Sequence, residues 1–98
     1  MKYTIQPGLI LRDVVGEHIM IATGEARGIC PPMKQFNDAG AFYWSLLEKG
    51  LEEEAMLDAC EEHFHAGREV IRPSLHRFMS ELAKNAYITL SEEEEQAE

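Results

Sequence analysis

Cys60-Glu61-Glu62-His63-Phe64-His65 places one thiol and two imidazoles in a short run, the first grouping in the sequence able to hold a metal. On a helix Cys60 and His63 share a face at i, i+3, and His76 offers a further donor. A structural zinc site needs four ligands, usually as two spaced pairs, and no second pair is present. Free cysteine commonly behaves as a small buried hydrophobe, so Cys60 is expected in the core and no metal is expected. Glu52-Glu53-Glu54 and Glu61-Glu62 are carboxylate neighbours in sequence only. Adjacent helical residues face apart and cannot share a proton across a substrate, so a solvated acidic face is expected. Phe42-Tyr43-Trp44 offers aromatic rings for stacking, but at helical spacing such rings fill cores, and Trp44 is expected to be a core residue. No Gly-rich phosphate loop, nucleophile elbow or zincin helix occurs, so neither a catalytic residue nor a cofactor is expected.

The elements that carry these residues follow from patterning. Leu9–Val14 and Glu17–Ala22 are β-compatible runs split by Val15-Gly16, which predicts a hairpin. Thr23–Gly28 is a polar loop. Pro31-Pro32 has no N–H to donate, and Met33–Phe36 is expected as a short third strand at a sheet edge. Asn37-Asp38 is a helix start ahead of Ala39–Glu48, with Gly50 as its left-handed terminus. A second helix is expected over Glu52–His65, with Met56, Leu57, Cys60 and Phe64 buried. The third is expected to begin near Arg72-Pro73, proline being tolerated in a first turn. Leu75, Phe78, Met79 and Leu82 recur at i, i+3, i+4, i+7. Arg72, His76 and Met79 form a second stripe beside that core stripe. Tyr87–Leu90 is a short extended end. No βαβ crossover is visible, so the fold class is α+β: an N-terminal three-stranded antiparallel sheet followed by three helices.

The 98 residues allow one domain. A net charge of −9 opposes general binding to nucleic acid or to anionic membranes, both of which need a basic surface. The run Leu9-Ile10-Leu11 is far too short for a membrane span. Two cysteines make no disulfide framework, which suits a reducing cytoplasm. Residues 91–98 hold five of the eighteen acids and no large apolar side chain, so this stretch is expected as a disordered acidic tail on a domain of residues 1–90. Residues 68–84 carry Arg68, Arg72, Arg77 and Lys84 against Glu69 and Glu81, a mildly basic segment in an acidic chain.

From Arg12 to Ile88 the sequence resembles the coenzyme PQQ synthesis protein D family, also described as RiPP precursor peptide recognition elements. The early hairpin carries the resemblance. So does Phe36-Asn37-Asp38-Ala39-Gly40-Ala41-Phe42-Tyr43-Trp44-Ser45-Leu46-Leu47, which looks like the family's LNxTGAxIWxLL pattern. The spacing from Trp44 to the helices at Met56–Phe64 and Leu75–Leu82 completes it. Two positions depart from the pattern: Pro31-Pro32 shortens the strand edge to about Met33–Phe36, and Ala39 replaces the usual Thr or Ser before Gly40.

The resemblance implies a winged helix-turn-helix-like fold that binds peptide rather than DNA. It implies a non-catalytic adaptor. Such a protein captures the leader segment of a ribosomally made precursor by β-strand addition and presents it to a peptide-modifying enzyme, radical-SAM in the PQQ case. The peptide-binding residues it implies here are the backbone of Met33, Lys34 and Gln35, with Arg72, His76 and Met79 lining the groove. Two alternatives stand beside it. A winged-helix DNA regulator predicts a basic third helix on a positive face. A structural homodimer predicts pairing of the exposed edge strand with its own copy.

Overall fold

A computed structural model describes residues 2–91. The order is β1 (Lys2–Ile5), β2 (Leu9–Val14), β3 (Glu17–Ala22), a 3-10 turn at Gly24–Ala26, β4 (Met33–Phe36), α1 (Asp38–Glu48), α2 (Glu53–Phe64), α3 (Arg68–Lys84) and β5 (Ile88–Ser91). The α+β class and the three-stranded antiparallel sheet, ordered β2-β3-β4, agree with the sequence reading. The hairpin pairs Leu9 with Ala22 and Val14 with Glu17, over the boundaries expected.

Asn37 opens α1 by accepting the Gly40 N–H on its side-chain oxygen at 2.8 Å. At the far end the N–H groups of Gly50 and Leu51 return to the carbonyls of Leu47 and Leu46, a Schellman closure. The core gathers Met20, Phe36, Trp44, Leu46, Met56, Leu57, Cys60, Leu75, Leu82, Tyr87 and Ile88, all nearly or fully buried. Phe64 and Phe78 are only partly buried and pack on its margin.

Three expectations need correction. The N-terminal residues form a strand that the sequence reading passed over. It pairs antiparallel with Ile88–Ser91 in a separate two-stranded sheet, Lys2 opposite Ser91 and Ile5 opposite Ile88. The helix α3 begins at Arg68, not at Arg72-Pro73, so Pro73 lies inside it. Gly67 precedes the helix and its carbonyl accepts from Val70 and Ile71, which forms the first turn before the proline is reached. Ser91, placed in the tail by sequence, belongs to β5. The remainder of the expected tail, 92–98, lies outside the described residues.

Candidate functional site

In β4 the hydrogen-bond phase decides which main-chain groups are free. Ala22 N–H donates to Pro32 O at 3.0 Å, and the register pairs Met20 with Lys34 and His18 with Phe36. In an antiparallel ladder alternate residues exchange both bonds. Pro32, Lys34 and Phe36 therefore face β3, while Met33 and Gln35 turn their N–H and C=O groups outward. No strand among the described residues pairs with that side. Of the two prolines, only Pro31 falls in the outward phase. The expectation that both remove edge donors is corrected: the missing N–H of Pro32 faces β3.

Side chains alternate across the same strand. Lys34 and Phe36 share the inner face with buried Met20, and Phe36 packs edge-on against Phe78 with ring centroids 5.4 Å apart. Met33 and Gln35 share the outer face, where Met33 is exposed and the Gln35 amide donates to a Glu17 carboxylate oxygen.

At the C-terminal end of β4 the chain passes into α1, and a cleft of about 180 Å³ opens between α1 and α3. Asn37, Gly40, Tyr43, Ser74, Arg77 and Phe78 line it. A Cβ at Gly40 would come within 3.0 Å of the Phe78 ring and 3.2 Å of the Asn37 side-chain oxygen, so glycine sets how closely α1 approaches α3 here. Tyr43 and Ser74 join their hydroxyls across the cleft at 3.0 Å. The result is a strand edge unpaired among the described residues, running into a cleft of mixed character, with the rings of Tyr43 and Phe78 beside Asn37, Ser74, Arg77 and Glu81.

Of the residues singled out by sequence, Met33, Lys34 and Gln35 stand together on this edge. Arg72, His76 and Met79 also stand together, but elsewhere. On α3 they flank the core stripe on the side opposite Ser74, Arg77 and Phe78. With Tyr3, Glu53, Ser80 and Leu90, His76 and Met79 line a second cavity of about 240 Å³. Met79 is buried at 2% exposure and belongs to the core. Glu53 is the centre of this second site, with Tyr3 Oη at 3.2 Å, His76 Nε2 at 3.0 Å and Arg72 Nε at 3.5 Å. Burial alone would raise the Glu53 carboxyl, but the His76 hydrogen bond and charge, the Tyr3 hydroxyl and Arg72 together hold it below its ordinary value. Burial and the Glu53 charge push Tyr3 up to about 12. Ser74, Arg77 and Phe78, which line the α1–α3 cleft, were not among the groove candidates of the sequence reading. Their signal was present in the spacing, but nothing local says which flank of α3 faces β4.

Arg68 and Arg72 of α3 are turned onto the acids of α2. Arg68 meets Glu54 at 2.8 Å and Glu61 at 3.2 Å, and also pairs with Asp58. Arg72 reaches Glu53 and Glu54, each at 3.5 Å. A recognition helix for DNA must present its cations outward, and here two of the four cations of α3 are already matched by carboxylates.

Cys60 is fully buried and its thiol is pushed up by burial to about 11. His63 lies flat on Phe42, ring centroids 3.9 Å apart. Among the described residues no group of three or more His, Cys, Asp or Glu converges as a metal site. No helix among them is long and apolar enough to cross a membrane.

A family model, coenzyme PQQ synthesis protein D, matches residues 31–88. In fold the chain is similar to the solved structure of TbiB1 in complex with the TbiA(beta) leader peptide. The TM-score is 0.74 and the identity 19%, over 91% of this chain and 98% of that one. The comparison with curated proteins gives no match.

Proposed function

The chain belongs to the coenzyme PQQ synthesis protein D family, and from that premise we propose that it is a peptide-binding adaptor of ribosomal peptide modification. It captures the leader segment of a precursor peptide by strand addition and presents it to a modifying enzyme of radical-SAM type. It performs no catalysis itself and works in the cytoplasm through a domain that includes Ser91 of β5. The observation that carries this reading is the open edge of β4, where Met33 and Gln35 direct paired donors and acceptors outward beside the α1–α3 cleft. Main-chain bonds to such an edge supply affinity, and pockets for alternate side chains supply selectivity. The shared fold with TbiB1, solved with a leader peptide bound, supports the same reading.

NMR titration of the labelled chain tests this, using leader peptides from short precursor genes encoded beside its own gene. Strand addition predicts amide shifts at Met33 and Gln35 and along Ser74–Phe78. Binding should be lost in Gln35→Pro, which removes one outward N–H. Shifts confined to Arg72, His76 and Met79, with β4 unmoved, would place the peptide in the Glu53 cavity and overturn strand addition. Salt-dependent retention on heparin would instead favour a DNA regulator.

A further inference from the structure

The faces of β4 specify what the added strand must carry. Directly opposed residues in a sheet share a face, and their side chains form the pairs that stabilise it. On the inner face, the position beside Phe36 adjoins the aromatic pair Phe36–Phe78, whose half-buried Phe78 ring suits an apolar side chain. Also inner, the next site along lies beside Lys34, a half-buried cation at the rim of the sheet. On the outer face, the position beside Gln35 meets a side chain already hydrogen-bonded to Glu17, and so is polar. The outer position beside Met33 continues a cross-strand row, Ile10–Ile21–Met33, that is apolar across all three strands. Met33, 64% exposed, ends that row, with no strand beyond it among the described residues.

We propose that the segment captured by β4 runs antiparallel to it and carries, in N-to-C order, an apolar, a polar, an acidic and an apolar residue opposite Phe36, Gln35, Lys34 and Met33. This rests on the strand-addition reading and adds the chemistry of the ligand. Antiparallel pairing matches the rest of the sheet and is slightly more stable per residue than parallel pairing. Lys34 acts in both directions. In an antiparallel pairing of β4 with its own copy centred on this residue, two ammonium groups stand opposite each other, which is unfavourable. An acidic residue in the same place gains a charge pair. One lysine thus rejects self-association in that register and selects an acidic ligand.

The experiment is selection of a displayed random octapeptide library on the full chain, repeated on Lys34→Glu, Lys34→Gln and Gln35→Pro. The pattern should emerge in the enriched peptides, and these should lose binding to Gln35→Pro. On Lys34→Glu the third position should change from acidic to basic, a reversal of roughly tenfold or more in relative enrichment for a charge pair at a partly shielded edge. On Lys34→Gln the acidic preference should vanish. Peptides that depend on Gln35 yet show no acidic preference, or keep it in Lys34→Glu, overturn the proposed pattern while leaving strand addition intact. Peptides that bind Gln35→Pro as well as the parent, or a library that yields no binder, overturn strand addition and the pattern together.

Discussion

His18 has both ring nitrogens against carboxylates: Nδ1 lies 2.6 Å from Asp13 and Nε2 lies 2.9 Å from Asp38. A neutral imidazole donates from only one nitrogen, and ionised carboxylates only accept, so both contacts are satisfied together only by the charged ring. The hydrogen bonds to Asp13 and then Asp38 hold its pKa above the ordinary 6.5. The folded state therefore holds this proton more tightly than the unfolded chain. Its contribution to stability is complete below about pH 6.5 and fades as pH rises through the raised folded value. NMR titration of the ring should give a midpoint above 6.5. The stability difference between the parent and His18→Gln should shrink from pH 6 upward, and a difference that grows with pH would contradict this account. Trp44 is a different kind of residue. It is fully buried, with its indole N–H donating to Glu48 at 3.0 Å. Trp44→Ala should cost ~3–5 kcal/mol in denaturant unfolding, as large-to-small core changes do.

The turn between β2 and β3 places Val15 at φ 52° and Gly16 at φ 80°. Positive φ at both central positions marks a two-residue hairpin turn that favours Asn-Gly. A β-branched residue there is strained by roughly 1 kcal/mol, and Val15 is 96% exposed, with no packing to lose. Val15→Asn should raise the melting temperature by about 4–8 °C. The hairpin was legible because local alternation and a glycine turn decide it, and the start of α1 was legible because Asn37 is a cap. The start of α3 was not. Proline favours first turns, so Pro73 drew the boundary forward, whereas Gly67 had already nucleated the helix at Arg68. At Pro73 the cost is softened because Glu69, whose carbonyl loses its donor, is exposed to water. The edge residues Met33–Gln35 were legible as a strand, but the cleft beside them was not. Which flank of α3 faces β4 is settled by long-range packing of Phe36 on Phe78, and no periodicity within α3 encodes that.

At the scale of the molecule, β1 and β5 were the least legible part, because each is four residues long and its partner lies at the opposite end of the sequence. β1 carries no local signal apart from its partner, and β5 was legible only as the extended stretch Tyr87–Leu90, without its pairing. Their pairing covers Ile88, 1% exposed, and brings Tyr3 onto Glu53 of α2. A chain beginning at Gln6 loses this cover and the burial of Tyr3 and Ile5, and should melt on the order of 10 °C lower. An unchanged melting temperature would show that the two-stranded sheet is dispensable. The pairing also has a topological result. Lys2 and Ser91 stand opposite each other across one ladder, so the polypeptide enters and leaves the domain at a single point. A unit with such adjacent ends can be spliced into a surface loop of a host protein at little cost in loop-closure entropy. Recognition and catalysis could then be carried on one covalent chain by insertion as readily as by end-to-end fusion.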